Sequence, residues 1–411
     1  MARPLPLLAA AAFALACAPA AGRRPVARVR TGLDVLEAEG FAPLRGKRVG
    51  LITNPTGRDA SGRSAVERLG SAPGVTLAAL FSPEHGFTGV SEEARISSSS
   101  LSLGGRVVPI YSLYSGGIAG MRPKPEQLAG LDALVFDVQD IGARFYTYLA
   151  TMGMAMEEAA KAGVEFYVLD RPNPINGVTV EGPVLDDLSL RLVTPTAYFA
   201  VPIRHGMTAG EIARLHNADV GAKLTVVAMK GWKREMWYDD TGLPWTPPSP
   251  NIPDLDAATL YPGIGIFEAS NVAVGRGTPL PFRWIGAPWL DASAVTADAR
   301  KAPLAGIRFD EQDYTPTKSL YAGTLCHGVR MTITDRDALR PVAVFRALED
   351  SIRRHQPKDL VWRWDEAKRM VGTDRFRQLV ESGADAAAIE KLFDGDAAAF
   401  KKKREPFLLY P

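Results

Sequence analysis

Four short apolar runs, each ending in polar residues, constrain this chain most. Val49-Gly50-Leu51-Ile52-Thr53 leads into Asn54-Pro55-Thr56-Gly57, and Val75 to Phe81 leads into Ser82-Pro83-Glu84-His85-Gly86-Phe87. Leu134-Val135-Phe136 leads into Asp137-Val138-Gln139-Asp140, and Phe166-Tyr167-Val168-Leu169 into Asp170-Arg171-Pro172-Asn173. Apolar runs of this length, bounded by proline and glycine, read as buried strands. Helical segments alternate with them, and strand–helix alternation predicts a parallel sheet covered on both faces. The expected fold class is therefore α/β, with a Rossmann-like sheet domain over 28–230. Ligands of such sheets bind outside the carboxyl ends of the strands. Polar side chains gathered at that edge point to an active-site cleft.

The helical segments are legible from their own chemistry. Thr208 followed by Glu211 is a capping-box pattern and predicts a helix from Thr208 to Asn217. Phe145 to Ala162 carries Tyr148, Met152, Ala155, Met156 and Ala159 on one helical stripe, a core-facing face that Gly163 terminates. Ser64 to Gly70 is a third candidate, and Leu224 to Met229 reads as the closing strand.

Beyond residue 231 the texture changes, and a smaller α+β domain is expected over 231–411. Pro244-Trp245-Thr246-Pro247-Pro248-Ser249-Pro250-Asn251-Ile252-Pro253 is too rich in proline for helix or central strand. Trp245, Tyr261, Phe267, Phe282, Trp284 and Trp289 suggest an ordered aromatic wall suited to sugar rings. Gly328 to Thr334 reads as strand; Pro341 to Arg354, Thr373 to Glu381 and Asp385 to Phe393 read as helices.

Whole-chain properties exclude several classes. The formal net charge of +2 over 411 residues gives no electrostatic case for a nucleic-acid partner. Lys401-Lys402-Lys403-Arg404 reads as a solvated helix end. No G-x-G-x-x-G follows the first strand and no G-x-x-x-x-G-K-[ST] occurs, so no nucleotide cofactor is expected. Histidine and cysteine spacings signal no metal site. A G-x-S-x-G elbow is missing as well, which argues against an esterase or amidase.

Residues 1–24 read as a signal segment, with the apolar stretch Leu5 to Ala16 too short to span a bilayer. Ala14-Leu15-Ala16-Cys17 resembles a lipobox, with alanine where leucine is usual, and Ala18-Pro19-Ala20 fits an ordinary signal-peptidase site. Both place the mature protein outside the cytoplasm, in the periplasm, with Cys17 as the only route to a membrane anchor. Cys326 then has no partner and reads as a small buried apolar residue.

Carboxylates stand out at the strand ends: Glu84, Asp137, Asp140 and Asp170, with Glu181 and Glu268 on later loops. Cleaving a glycosidic bond requires a carboxyl group to protonate the leaving oxygen, usually with a second one as base or nucleophile. Glu84 sits in an apolar loop beside His85. Asp170-Arg171 reads as a salt-bridged turn pair, and His205 precedes a helix N-terminus, a place suited to an anion. Asn173 and Asn176 read as turn residues, one of them a candidate hydroxyl binder. Glu268 and Asn271 add polar groups after Gly263 to Phe267, and Arg144, Arg171, Arg276 and Arg283 are candidate carboxylate binders.

Eight motifs, LITNPTG, FSPEHGF, FDVQDIGARFYTY, LDRPNPING, VEGPVLD, PIRHGMTAGE, PSPNIP and NVAVGRGTP, occur in this order over residues 32 to 290. Together they resemble the bacterial exo-β-N-acetylmuramidase family, NamZ-like glycoside hydrolases. The resemblance implies release of N-acetylmuramic acid from the non-reducing end of peptidoglycan fragments, in a cleft between a Rossmann-type domain and a smaller one. It puts the family's glutamate on Glu84 and places Asp140 and Glu181 near the second acid without fixing its role. The expected catalytic set is Glu84, Asp140 and Glu181. The expected substrate-binding set is Asn54, His85, Asp137, Arg144, Asn173, His205, Asn251, Glu268, Asn271 and Arg276. Arg144 or Arg276 is expected to hold the lactyl carboxylate in a bidentate pair. The alternative is a non-catalytic muropeptide-binding lipoprotein using the same cleft.

Overall fold

The computed structural model describes residues 28–384 and 386–411. The signal segment 1–24 and Cys17 lie outside the described residues.

The large sheet is built from β1 (Arg48–Thr53), β2 (Thr76–Ser82), β3 (Ser99–Leu103), β4 (Arg106–Ser112), β5 (Ala133–Asp137) and β6 (Glu165–Leu169). A short pair, β7 (Glu181–Val184) and β8 (Pro202–Arg204), precedes its last strand, β9 (Leu224–Val227). Seven strands lie in the order β3-β4-β2-β1-β5-β6-β9. All neighbours run parallel except the edge pair β3 and β4. The chain winds outward from β1 to one side and then resumes at β5 on the other. The strand alternation of the sequence thus yields a doubly wound sheet.

Side-chain alternation explains why both faces are covered. Val49, Leu51, Val135, Tyr167 and Leu169 enter one buried cluster; Ile52, Leu134, Phe136, Phe166 and Val168 enter the other. Successive strand residues point to opposite faces, so a continuous apolar run supplies two cores at once. One core receives α1 (Gly32–Ala38) and α2 (Ala65–Gly70). Beyond the single-turn α3 (Pro125–Leu128), α4 (Tyr148–Ala162) and α5 (Ala209–Val220) cover the other. The expected α4 stripe is fully buried, and Gly163 ends the helix at φ 72°. Each fully buried large apolar side chain stabilises the fold by about 1.5–3 kcal/mol. Thr208 caps α5 in a capping box with Glu211, as its spacing predicts. α4 starts three residues later than expected, because Phe145 to Thr147 form a turn beside a cavity.

The remaining chain supplies α6 (Leu255–Ile264), β10 (Trp284–Ala287), α7 (Ala292–Lys301), β11 (Ile307–Glu311), β12 (His327–Ile333) and α8 (Pro341–His355). Four short helices follow: α9 (Trp364–Val371), α10 (Arg375–Glu381), α11 (Ala386–Asp394) and α12 (Ala397–Arg404). Its sheet is three-stranded and antiparallel, in the order β10-β12-β11. Lys401, Lys402 and Lys403 are exposed as expected, but Arg404 is not. It is buried and donates to the carbonyls of His205 and Gly206, so the end of α12 is pinned to the loop ahead of α5.

Candidate active site

The loop after β2 carries Glu84 and His85 to the carboxyl edge of the sheet, where both line a cavity of about 520 Å³. Glu84 is half-buried, and the Thr147 hydroxyl donates to its Oε2. A second hydroxyl, on Tyr114 after β4, also bonds Glu84; burial first, and then the Glu84 charge, raise this phenol well above its ordinary pKa. Tyr114 therefore keeps its proton and serves as a donor. Two hydroxyls thus orient the Glu84 carboxyl without neutralising it with a cation.

His85 has a backbone φ of 69°, the left-handed region that non-glycine residues seldom adopt. Its Nδ1 lies 2.7 Å from the Ser91 carbonyl oxygen. A carbonyl only accepts, so Nδ1 carries the hydrogen and Nε2 is left as the ring's second functional atom. Strain of this kind persists where surrounding structure holds it, often at functional sites. Phe282, also in the cavity wall, has φ 58°.

The opposite wall comes from the C-terminal half. Tyr261, Glu268, Arg276 and Phe282 line it, and Arg276 donates to Glu268 while its guanidinium lies 5.3 Å from the Phe282 ring centre. Of the aromatics expected to form this wall, Tyr261 and Phe282 border the cavity, Phe282 fully buried beneath Arg276; Phe267 and Trp284 are buried in the core away from it. Ser249 and Ile252 bring the proline-rich segment to the wall. Asn251 donates to Glu92 at 2.6 Å, and Lys318 pairs with the same carboxylate, so Glu92 links the β2 loop to two later segments.

The structure thus brings together Glu84, His85, Glu268 and Arg276, with Asn251 one contact behind the wall. Several expected site residues lie elsewhere, each for a visible reason. Asp137 is fully buried and receives Arg171 Nε at 2.6 Å; Arg171 Nη2 also donates to Arg58 O at 2.8 Å. The Arg171 guanidinium therefore does not pair with Asp170, which receives from Arg171 only the backbone amide, at 3.0 Å. The Asp170 carboxylate also accepts from Thr208, the Gly210 amide and the Tyr410 hydroxyl at 2.6–2.8 Å, and burial raises its pKa to about 6.

Asp140 accepts from the Gly142 amide at 2.7 Å, and burial raises its pKa to about 7. Its neighbour His205 is fully buried, with Nε2 3.8 Å from Asp140 Oδ2, too long for a hydrogen bond. Burial lowers the His205 pKa to about 3, so the ring is held neutral and does not meet an anion. Glu181, on β7, pairs with Arg204 at 3.1 Å and borders a different cavity of about 700 Å³.

Arg144 is likewise fully buried, its guanidinium spent on the carbonyls of Pro183, Val201 and Met370. Asn173 bonds Met207 O and Ile175 N, Asn54 bonds the amide and hydroxyl of Thr56, and Asn271 bonds Asp359 O and Val361 N. Asn54 and Asn173 shape turns, and Asn271 ties its loop to residues 359–361.

The crevice at the strand-order reversal, between β1 and β5, is filled by the protein itself. Thr53 Oγ1 donates to Asp137 O at 3.0 Å, the Gln139 amide to Thr56 Oγ1 at 2.9 Å, and Gln139 Nε2 to Pro172 O at 2.7 Å. Gly57 packs so closely that a Cβ would sit 2.1 Å from Thr53 Oγ1. The cavity consequently opens beside β2 and β4, at the flank of the switch point.

Sequence reasoning missed Tyr114, Tyr146, Thr147, Glu92 and Arg369, all of which line the cavity. Tyr146 and Thr147 stand in the FDVQDIGARFYTY motif directly ahead of a helix, a signal that was available. Arg369 had none, since it lies on a short amphipathic helix.

Comparison with known proteins places both walls of this cavity in one family. The model of the NamZ exo-β-N-acetylmuramidase N-terminal section matches residues 49–256, and that of its C-terminal section matches residues 259–410. The chain belongs to the NamZ family. It is 39% identical, over 93% of its length and 92% of the relative's, to the peptidoglycan β-N-acetylmuramidase NamZ of Bacillus subtilis (strain 168). Two crystal structures of DUF1343 family proteins from Bacteroides fragilis NCTC 9343 share the fold. One has a TM-score of 0.85 at 35% identity, covering 94% of this chain and 100% of its own; the other has 0.73 at 29%, covering 93% and 99%. Within the NamZ frame, Glu84, His85, Tyr114 and Thr147 fall in the N-terminal section. Tyr261, Glu268, Arg276, Phe282 and Arg369 fall in the C-terminal one, so the cavity needs both.

Proposed function

We propose that this protein is an exo-acting β-N-acetylmuramidase, a glycoside hydrolase that removes N-acetylmuramic acid from the non-reducing end of peptidoglycan fragments. One observation carries the reading: in a chain matching the NamZ family from residue 49 to 410, Glu84 presents a carboxyl group to a sugar-sized cavity. A volume of about 520 Å³ lies in the usual range of small-ligand sites, roughly 300–1,000 Å³. Tyr261 borders this space as an aromatic wall for a sugar ring, backed by Phe282, and Glu84 acts on the glycosidic oxygen. A chromogenic β-N-acetylmuramide tested beside the matching glucosaminide decides the matter. Release from the muramide and little from the glucosaminide is expected; equal release, or none from either, removes the assignment.

We further infer export through the segment 1–24 and anchoring through lipidated Cys17 in a periplasm-facing membrane. The supporting features are the apolar stretch Leu5 to Ala16 and the Ala14-Leu15-Ala16-Cys17 sequence. Cys17→Ser should move the protein from the membrane fraction to the soluble periplasm. A wild-type protein already soluble, with its N-terminus near Ala21, leaves the ordinary secretory signal instead.

A further inference from the structure

Most charges lining the cavity pair off inside the protein; among the described residues Glu84 and Glu93 have no cation partner, and one arginine is left over. Glu268 is engaged by Arg276, Glu92 by Lys318 and Asn251, and Glu366 by Arg363 at 2.7 Å. Arg276 has its Nε committed to Glu268 and its face over Phe282. Arg369, half-buried in the wall, makes no hydrogen bond or ion pair among the described residues. It sits in the last turn of α9, beside Met370, which also lines the cavity.

The position of that turn is set from the other half of the molecule. Arg144 Nη2 donates to Met370 O at 2.6 Å, and Nη1 to Pro183 O and Val201 O at 2.9 Å each. A cation at carbonyls of a helix C-terminus is electrostatically favoured. Gly372 ends the helix at φ 93° and makes room for this guanidinium, since a Cβ there would lie 2.7 Å from Arg144 Nη2. An uncommitted guanidinium is thus held on a fixed helix turn, facing a cavity whose other arginine is occupied.

We propose that Arg369 is the specificity-determining residue of this cavity, pairing with a carboxylate on the bound sugar. This rests on the muramidase reading: the lactyl carboxylate is what separates an N-acetylmuramide from an N-acetylglucosaminide. Guanidinium and carboxylate match as a two-bond pair, and the partner supplies the negative charge that the protein does not give Arg369.

The test compares wild type with Arg369→Ala, Arg369→Gln and Arg369→Lys, each checked by thermal melting. The substrates are a chromogenic β-N-acetylmuramide and the same compound with its lactyl group amidated. For Arg369→Ala and Arg369→Gln, KM for the acid should rise by roughly 10- to 100-fold. KM for the amide should stay within about twofold of wild type, with Arg369→Lys recovering part of the loss. An acid-over-amide preference unchanged in both neutral variants overturns the assignment. If wild type cleaves no muramide, the muramidase reading fails separately, and calorimetric titration with N-acetylmuramic acid decides for Arg369. Binding weakened tenfold or more in Arg369→Ala supports the pairing; equal binding, including none to either protein, overturns it.

Discussion

The loops after β2 and β5 leave the same edge of one sheet, separated only by β1, and both carry carboxylates. Glu84, in the first, meets two hydroxyls and faces a cavity. Asp137 and Asp140, in the second, meet a guanidinium and a backbone amide and are sealed from solvent. A hydroxyl orients a carboxylate and leaves its charge available, whereas a buried guanidinium consumes that charge in holding the fold together. Access to the cavity therefore separates Glu84 from Asp137 and Asp140 at this edge, and Asp170, which has two hydroxyl partners, is sealed in with them.

Breaking the sealed loop should have the largest effect. Asp137→Ala strands Arg171 inside the protein without its counter-charge, which costs about 3–5 kcal/mol. The denaturant midpoint should fall accordingly, while activity per folded molecule persists. An unchanged midpoint would mean that the β1–β5 crevice does not depend on this pair.

Breaking the open loop should do the reverse. Glu84→Gln is expected to lower kcat by roughly 10²-fold or more with the melting temperature nearly unchanged. Normal turnover in that variant would remove Glu84 from the chemistry. The two hydroxyls that orient it offer a finer cut. Tyr114→Phe and Thr147→Val each delete one donor to a charged group and should lower kcat by roughly tenfold. A loss seen only in KM would assign these residues to binding instead.

The smallest effect concerns pH. The folded pKa of Asp140, about 7, lies above the ordinary 3.8 of an aspartate because the carboxyl is buried. Its contribution to stability is therefore complete below about pH 4 and is lost as pH rises toward 7. His205 works in the other direction. Its pKa is lowered from 6.5 to about 3, so its contribution is present above pH 6.5 and lost as pH falls toward 3. Asp140→Asn keeps an oxygen for the Gly142 amide and removes only the first effect. Its melting temperature should gain a few degrees over wild type at pH 8 and differ little at pH 4. Equal differences at both pH values would show that Asp140 does not titrate in this range.

Elements set by local chemistry were legible in the sequence. Thr208 and Glu211 are three residues apart, and the cap they form needs nothing else. Tyr148, Met152 and Met156 declare their buried face through spacing alone, and the strand runs announce the edge where Glu84 emerges. What the sequence could not disclose is which strand end stays open, because that depends on distant partners. Asp137 meets an arginine 34 residues away, and Glu84 meets a threonine 63 residues away. Arg144 shows the same limit: the guanidinium expected at a substrate carboxylate is drawn to a carbonyl 226 residues onward.

For a molecule intended to block this protein, the filled crevice removes a familiar foothold. Sheets of this architecture commonly offer a ligand slot at the strand-order reversal. Here Thr53, Thr56 and Gln139 occupy it, and even a methyl group on Gly57 would collide with Thr53. Nucleotide-shaped inhibitors directed at other proteins of this architecture should find no purchase on the sheet. Compounds built for the flanking cavity must take both affinity and selectivity from the sugar-sized space between Glu84, Tyr261 and Phe282.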